Sequence, residues 1–491
     1  MRASKRWLRL LALLMAFGLV AVACGGDGDD EDASASETDA SASEASASEA
    51  DDSSASASEA DDGEAMEDGA GLPTEGSVEV AAGTVLNLDE CEDWSATQGV
   101  DGDEIRLGWS GPESGTLAAF GAIGEGMQFY FDSVNDTDPI DGKEIVLITR
   151  DDAYEAGRTV ANIEEMIEAD DIFAFVHLIG TPNNLAARPI TDEACVPQLF
   201  NSSGFPFWGD PANFPWNVGN ILNYVTETEI WCQAIVDEFG EGATVAALIM
   251  NNDFGTTYLN TLKDSPACSG VELVEEQLHD PAAPDITNEM TTMIASDADV
   301  LVAGTTSGFC SQATAILAGS EWRPRFYLSY TCNNLSSFFV PVAAEAITLS
   351  SEGSAPTMAN SNKICGDPIY ADDPAVQEVE RILDEYGGVT CADGSFSTGV
   401  LYGQFVEDVL RDAAAMEGGL NRVNLMAAVW NADTSNDLLL GGTLKLDGVN
   451  DAYWTEAAQL QEVTDDGSGG VTFTSIGDFI DFEGQGGSFG G

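Results

Sequence analysis

Ile105-Arg-Leu-Gly-Trp109 runs directly into Ser110-Gly-Pro-Glu-Ser-Gly-Thr-Leu-Ala-Ala-Phe-Gly121, and this junction decides the fold. Ile105, Leu107 and Trp109 alternate with the period of a strand. Glycine, proline and serine then force a loop. A helix-like stretch follows from Leu117 to Val134, and a second strand from Glu144 to Thr149. Strand, helix, strand is the unit of a parallel α/β sheet. Outward from it, Val160, Ile163 and Ile167 keep helical spacing, and Phe173 to Ile179 is a continuous apolar run of the kind a buried parallel strand carries. Pro189 to Ala194 leads to a short strand near Val196 to Phe200. The pattern then restarts. Helices are expected at Glu227–Phe239, Phe254–Lys263 and Ser311–Leu317, and strands at Thr244–Met250, Val271–Gln277, Asp299–Ala303 and Arg325–Ser329. Two such runs predict an α/β protein of two doubly wound lobes. Ligands of these sheets sit beyond the carboxyl ends of the strands. The loops 110–121, 180–184, 201–208, 251–258, 304–308 and 329–334 are therefore where a site is sought.

The 491 residues include 85 acidic and 17 basic side chains, a net charge of −68. That charge excludes nucleic acid, which needs a cationic surface, and adsorption to anionic headgroups. With two histidines, His177 and His279, a histidine-based zinc site is not expected. No GxSxG, HExxH or P-loop pattern is present, so an enzyme is not expected. His177 reads as a structural histidine. The acids Asp136, Asp138 and Asp141 read as a turn and not as a calcium loop.

The chain opens as a signal peptide over 1–24. Arg2, Lys5, Arg6 and Arg9 precede an apolar stretch from Leu10 to Val22, shorter than the ~20 residues of a membrane span. It ends Ala21-Val22-Ala23-Cys24-Gly25, which resembles a bacterial lipobox and marks Cys24 for lipidation. Residues 25–71 are Ser, Ala, Gly, Asp and Glu apart from Thr38 and Met66, with SASEA recurring. Such a segment has almost nothing to bury and is expected to be a disordered tether. Residues 72–103 form an N-terminal extension to the folded body, and 483–491 a Gly-rich tail. Apart from Cys24 there are eight cysteines, an even number in an exported chain, which favours disulfides. Eight cysteines permit roughly a hundred pairings. Sequence proximity suggests Cys310–Cys332, Cys365–Cys391 and Cys232–Cys268, leaving Cys91–Cys195.

Several loops resemble one family. Ser110–Gly121 is similar to the G-P-x-S-G loop of extracytoplasmic solute-binding proteins of the branched-chain amino-acid (Leu/Ile/Val-binding) type. Cys195-Val-Pro-Gln-Leu resembles that family's G-[VI]-P strand, Asn251-Asn-Asp-Phe-Gly255 its D-x-x-[YF]-G element, and Gly441-Gly-Thr-Leu-Lys-Leu-Asp447 its C-terminal G-x-x-x-F-D. The turn and strand Asp141-Gly-Lys-Glu-Ile to Asp151-Asp152 also match. The resemblance spans roughly 104–465. It implies a type I periplasmic-binding-protein fold: two lobes joined by three hinge crossings near 221–224, 346–350 and 438–442. Lobe 1 would be 104–222 plus 349–439, and lobe 2 would be 223–347 plus 440–482. It also implies a monomer without cofactor or metal, held outside the cytoplasm by its lipid anchor. Such a protein would close on a small-molecule ligand and deliver it to an ABC permease.

The same resemblance nominates the ligand-binding residues. Thr181 and Asn183 lie in the loop that opens a helix, where the family holds a ligand carboxylate. Ser202 and Ser203 match its second carboxylate loop. Ser114 lies in the first loop, Phe120 matches an aromatic packed on the ligand, and Thr306 lies in a further contact loop. Phe254 and Tyr330 stand where amino-acid binders place a Tyr hydroxyl and a Glu carboxylate for the ligand ammonium. Either Glu113 or Asp253 substitutes as the acid, or the ligand is an amide or carboxylate lacking an amine. A ligand-sensing surface lipoprotein is the alternative function, with a structural lipoprotein and a hydrolase as more distant ones.

Overall fold

The computed structural model describes residues 72–100 and 102–485. Cys24, the signal peptide, the tether and the last six residues of the tail lie outside the described residues. No described helix is long and apolar enough to cross a membrane.

The first sheet is built from β3 (Glu104–Gly111), β4 (Glu144–Asp151), β5 (Ala174–Val176), β6 (Gln198–Asn201) and β7 (Asn217–Gly219). Its order is β4-β3-β5-β6-β7, and every pairing is parallel. Helices α1 (Gly121–Thr137), α2 (Ala156–Ala169) and α3 (Thr181–Ala194) connect its strands. A preceding hairpin, β1 (Ser77–Ala81) with β2 (Thr84–Asn87), belongs to this lobe. The side-chain amide of Asn431 donates to Val80 O at 2.7 Å, and Cys91 is bonded to Cys195 at the end of α3.

The second sheet follows α4 (Tyr224–Phe239). It holds β8 (Ala243–Met250), β9 (Val271–His279), β10 (Val300–Gly304), β11 (Arg325–Leu328) and β12 (Pro356–Asn360), all parallel in the order β9-β8-β10-β11-β12. Then β15 (Ala457–Asp465) adds antiparallel to β12, and β16 (Val471–Ser475) and β17 (Ile480–Asp481) pair with β15. The strands β10 and β8 are buried almost along their whole length, as their near-continuous Val, Leu, Ile and Ala sequence requires.

The first crossing between the lobes falls at 220–223, beside the expected place. The other two come later than expected. Pro356–Asn360 is hydrogen-bonded into the second sheet, so the boundary expected at 349 is displaced and the chain crosses at 361–363, where Asn362 bridges Leu439. The crossing expected at 438–442 is likewise displaced. Leu444 and Lys445 pair with Thr434 and Asp433, the Val449 N–H donates to Ala82 O, and Trp454 packs on Phe200 and Phe405. The chain therefore stays with the first lobe until 451–456.

The expected strand 173–179 is also shorter. His177 takes φ +47, a left-handed conformation that ends the ladder at Val176. The structure contains the four bridges Cys91–Cys195, Cys232–Cys268, Cys310–Cys332 and Cys365–Cys391, the pairs that sequence proximity suggested.

Candidate functional site

The two sheets point their carboxyl ends at one cleft, and its floor is set by two turns. Gly180 has φ +98 and ends the run after β5, and Thr181 then opens α3. The side-chain amide of Asn184 donates to Leu178 O at 2.7 Å and to Gly180 O at 2.9 Å, which fixes the turn. The second turn, Ser202-Ser203, leaves β6. Thr181 Oγ1 and Ser203 Oγ are 2.7 Å apart, and Ser203 Oγ also accepts the Phe205 N–H at 3.2 Å. Either hydroxyl of that pair can be the donor, and the Tyr224 hydroxyl reaches both. Ser202 Oγ is buried, and the group beside it is the Tyr402 hydroxyl.

The cavity is lined by Phe120, Thr181, Ser202, Phe254, Thr306 and Tyr330 among the expected residues. Phe120 meets Phe338 edge-on at 5.9 Å. Phe254 lies at the start of α5 (Asp253–Asp264), edge-on to Tyr224 at 5.1 Å. The Tyr330 hydroxyl donates to Asn362 Oδ1 at 2.9 Å, which links the wall to the second crossing.

Three expected residues lie elsewhere. Ser114 donates its hydroxyl to Asp151 Oδ2 at 2.6 Å and is spent on holding its own loop. The Asn183 side-chain amide donates to Thr159 Oγ1, which donates to the buried Asp152 that also accepts from Ser110. Ser203 stands behind Thr181. Neither Glu113 nor Asp253 lines the cavity. Phe205 and Phe207 pack on each other at 4.8 Å away from it, with Arg188 over Phe207.

Sequence reasoning missed Tyr154, Tyr224, Phe338, Asn362 and Tyr402 as lining residues. Tyr402 comes from α10 (Phe396–Ala415), whose position no motif marks. Its ring stacks on His177 at 4.1 Å, and burial pushes its phenol up to about 12. His177 Nε2 lies 3.1 Å from Tyr402 O; facing a carbonyl, it carries the proton and donates. Burial holds His177 down at about 3, so it is a neutral structural group.

The lining contains no Asp, Glu, Lys, Arg or His. Beneath it the buried Glu227 is already occupied. Its carboxylate accepts the Tyr258 hydroxyl at 2.6 Å and the Tyr330 N–H at 2.5 Å. Burial outweighs those bonds and pushes Glu227 up to about 8. The lobes meet across the cleft, where the Thr116 hydroxyl donates to Pro281 O at 2.8 Å.

Residues 104–332 match the family described as periplasmic binding protein. No curated protein matches the chain. Among solved structures, a branched-chain amino acid ABC transporter protein from Thermus thermophilus with bound valine is 17% identical with a TM-score of 0.67, over 77% of this chain and 96% of that one. A solute-binding protein of an ABC transporter from Rhodopseudomonas palustris BisB5, in complex with 3,4-dihydroxybenzoic acid, is 17% identical with a TM-score of 0.65, over 78% and 98%. A fatty acid ABC transporter substrate-binding protein from Thermomonospora curvata is 17% identical with a TM-score of 0.64, over 79% and 95%. Residues 104–332 thus carry the match to the periplasmic binding protein family, and the chain has the type I periplasmic-binding-protein fold.

Proposed function

We propose that this protein is an extracytoplasmic solute receptor, lipid-anchored through Cys24, that captures an amine-free carboxylate with an apolar or aromatic body. It would deliver that ligand to an ABC permease. The observation that carries the ligand class is the uncharged cleft. An ammonium desolvated there would have no counter-charge, a cost of several kcal/mol. A carboxylate is offered hydroxyl donors: Thr181 at the start of α3 and Ser202, with the Tyr402 hydroxyl beside it. Phe120, Phe254, Phe338 and Tyr402 offer edges and faces to an aromatic or branched body. Similar proteins from Rhodopseudomonas palustris are in complex with 3,4-dihydroxybenzoic acid and with 4-hydroxybenzoate, ligands of this class.

Thermal unfolding of the purified protein against benzoates, branched carboxylates and amino acids tests the reading, because a ligand of the folded state raises the melting temperature by mass action. Saturable shifts with the carboxylates and none with amino acids are expected. Equal or larger shifts with amino acids would overturn the amine-free assignment.

A further inference from the structure

A second polar cluster lies away from the cleft, at the last crossing between the lobes. Asp451 begins that crossing, Glu456 ends it, and Glu483 follows β17 on the C-terminal segment. One carboxylate oxygen from each lies within 4.8 Å of the other two. Asp451 is 5% exposed, and among the described residues no donor outside the cluster reaches its carboxylate oxygens, which meet only the carboxyls of Glu456 and Glu483. Glu483 Oε1 is buried as well. Glu456 is 5% exposed and accepts the Gly484 N–H at 2.7 Å through Oε2. Burial, reinforced by mutual repulsion with Asp451, pushes Glu483 up to about 7, and burial pushes Asp451 up. Lys445 acts on both only through space. Three converging carboxylates, one of them almost wholly buried and meeting only the other two, are stabilised by a positive charge between them.

We infer that Asp451, Glu456 and Glu483 form a calcium site that fastens the C-terminal strand to the third crossing. Oxygens within 4.8 Å of one another lie no more than about 2.8 Å from a common centre, so small side-chain shifts bring all three to the calcium range of about 2.3–2.6 Å. The donors are all hard oxygens, which suit calcium and not zinc. Glu483 is half-buried and leaves a side for water, so the coordination of about six to eight oxygens that calcium takes can be completed. The inference is independent of the ligand class assigned to the cleft. Its consequence is mechanical, because β17 pairs with Ala457 and Ala458 immediately after the crossing.

The test is calorimetric titration of calcium chloride into the chelator-treated, purified protein, with thermal unfolding in parallel. One equivalent should bind saturably and raise the melting temperature by several degrees, and Asp451→Asn should lose both effects. Glu483→Gln, at a less buried position, serves if Asp451→Asn does not fold, and should weaken binding at least tenfold. The acidic surface supplies the competing explanation. Equal shifts in wild type and both variants, equal shifts with magnesium chloride, or no saturable binding by the folded wild type would each overturn the site.

Discussion

Ser202 carries the strongest single statement about the cleft, because it lines the cavity beside the Tyr402 hydroxyl. A ligand carboxylate that accepts its hydrogen bond makes Ser202→Ala cost about 1–2 kcal/mol of affinity, roughly tenfold. The unliganded variant should lose at most about 1 kcal/mol of stability, the worth of the contact with Tyr402. Calorimetric affinity and thermal unfolding check the two halves, and an unchanged affinity would remove Ser202 from the site. Glu227 yields a prediction in pH. Its carboxyl is ordinary, near 4.5, in the unfolded chain and about 8 in the folded one. Between those values the unfolded chain has released a proton that the folded protein keeps. Stability therefore falls as pH rises from about 5 to 8, by up to about 1.4 kcal/mol per pH unit, and levels off above. Glu227→Gln should flatten this slope, so that its stability relative to wild type rises by on the order of 2–4 kcal/mol from pH 5 to pH 8. Denaturant unfolding at the two pH values reads it, and parallel slopes in variant and wild type would refute it. Residues that follow a strand end within a short loop, such as Thr181, Ser202 and Phe254, were legible because the loop carries them to the cleft. Ser114 and Asn183 share those loops, yet Asp151 and Thr159 claim their side chains. Such partner choice depends on residues tens of positions away.

At the scale of elements, the turn at Gly180 sets the cleft. A Cβ at φ +98 there would sit 2.3 Å from Tyr154 Cε2, and the backbone conformation itself disfavours any L side chain. Gly180→Ala should destabilise the protein by about 1–3 kcal/mol and displace the Tyr154 wall, weakening ligand binding. Urea unfolding and a ligand titration measure both, and a variant with unchanged stability would contradict the account. The strand and helix runs up to Arg325 were readable because each carries its own periodicity. The strand Pro356–Asn360 was not, since Pro-Thr-Met-Ala-Asn has neither alternation nor a β-branched run. It is a strand because β11 and β15 flank it. The placement of α10 and the antiparallel strands β15 to β17 depends in the same way on neighbours distant in sequence, as does Tyr402 in the cleft wall.

For the whole molecule, the two-lobed architecture was legible from the restart of the α/β pattern at Glu227, but two of its three crossings were not. Those crossings are held by Asn362 against Leu439 and by Trp454 on Phe200 and Phe405, contacts with no local signature. The architecture brings uncharged walls from both lobes around one cavity. The central claim is that this cavity selects a carboxylate and rejects an ammonium. Titration calorimetry with leucine and 4-methylpentanoate, which differ by the ammonium alone, tests it most directly. The account expects saturable binding of 4-methylpentanoate and at least a hundredfold weaker binding of leucine, about 2.7 kcal/mol. Leucine binding as tightly or more tightly would contradict it.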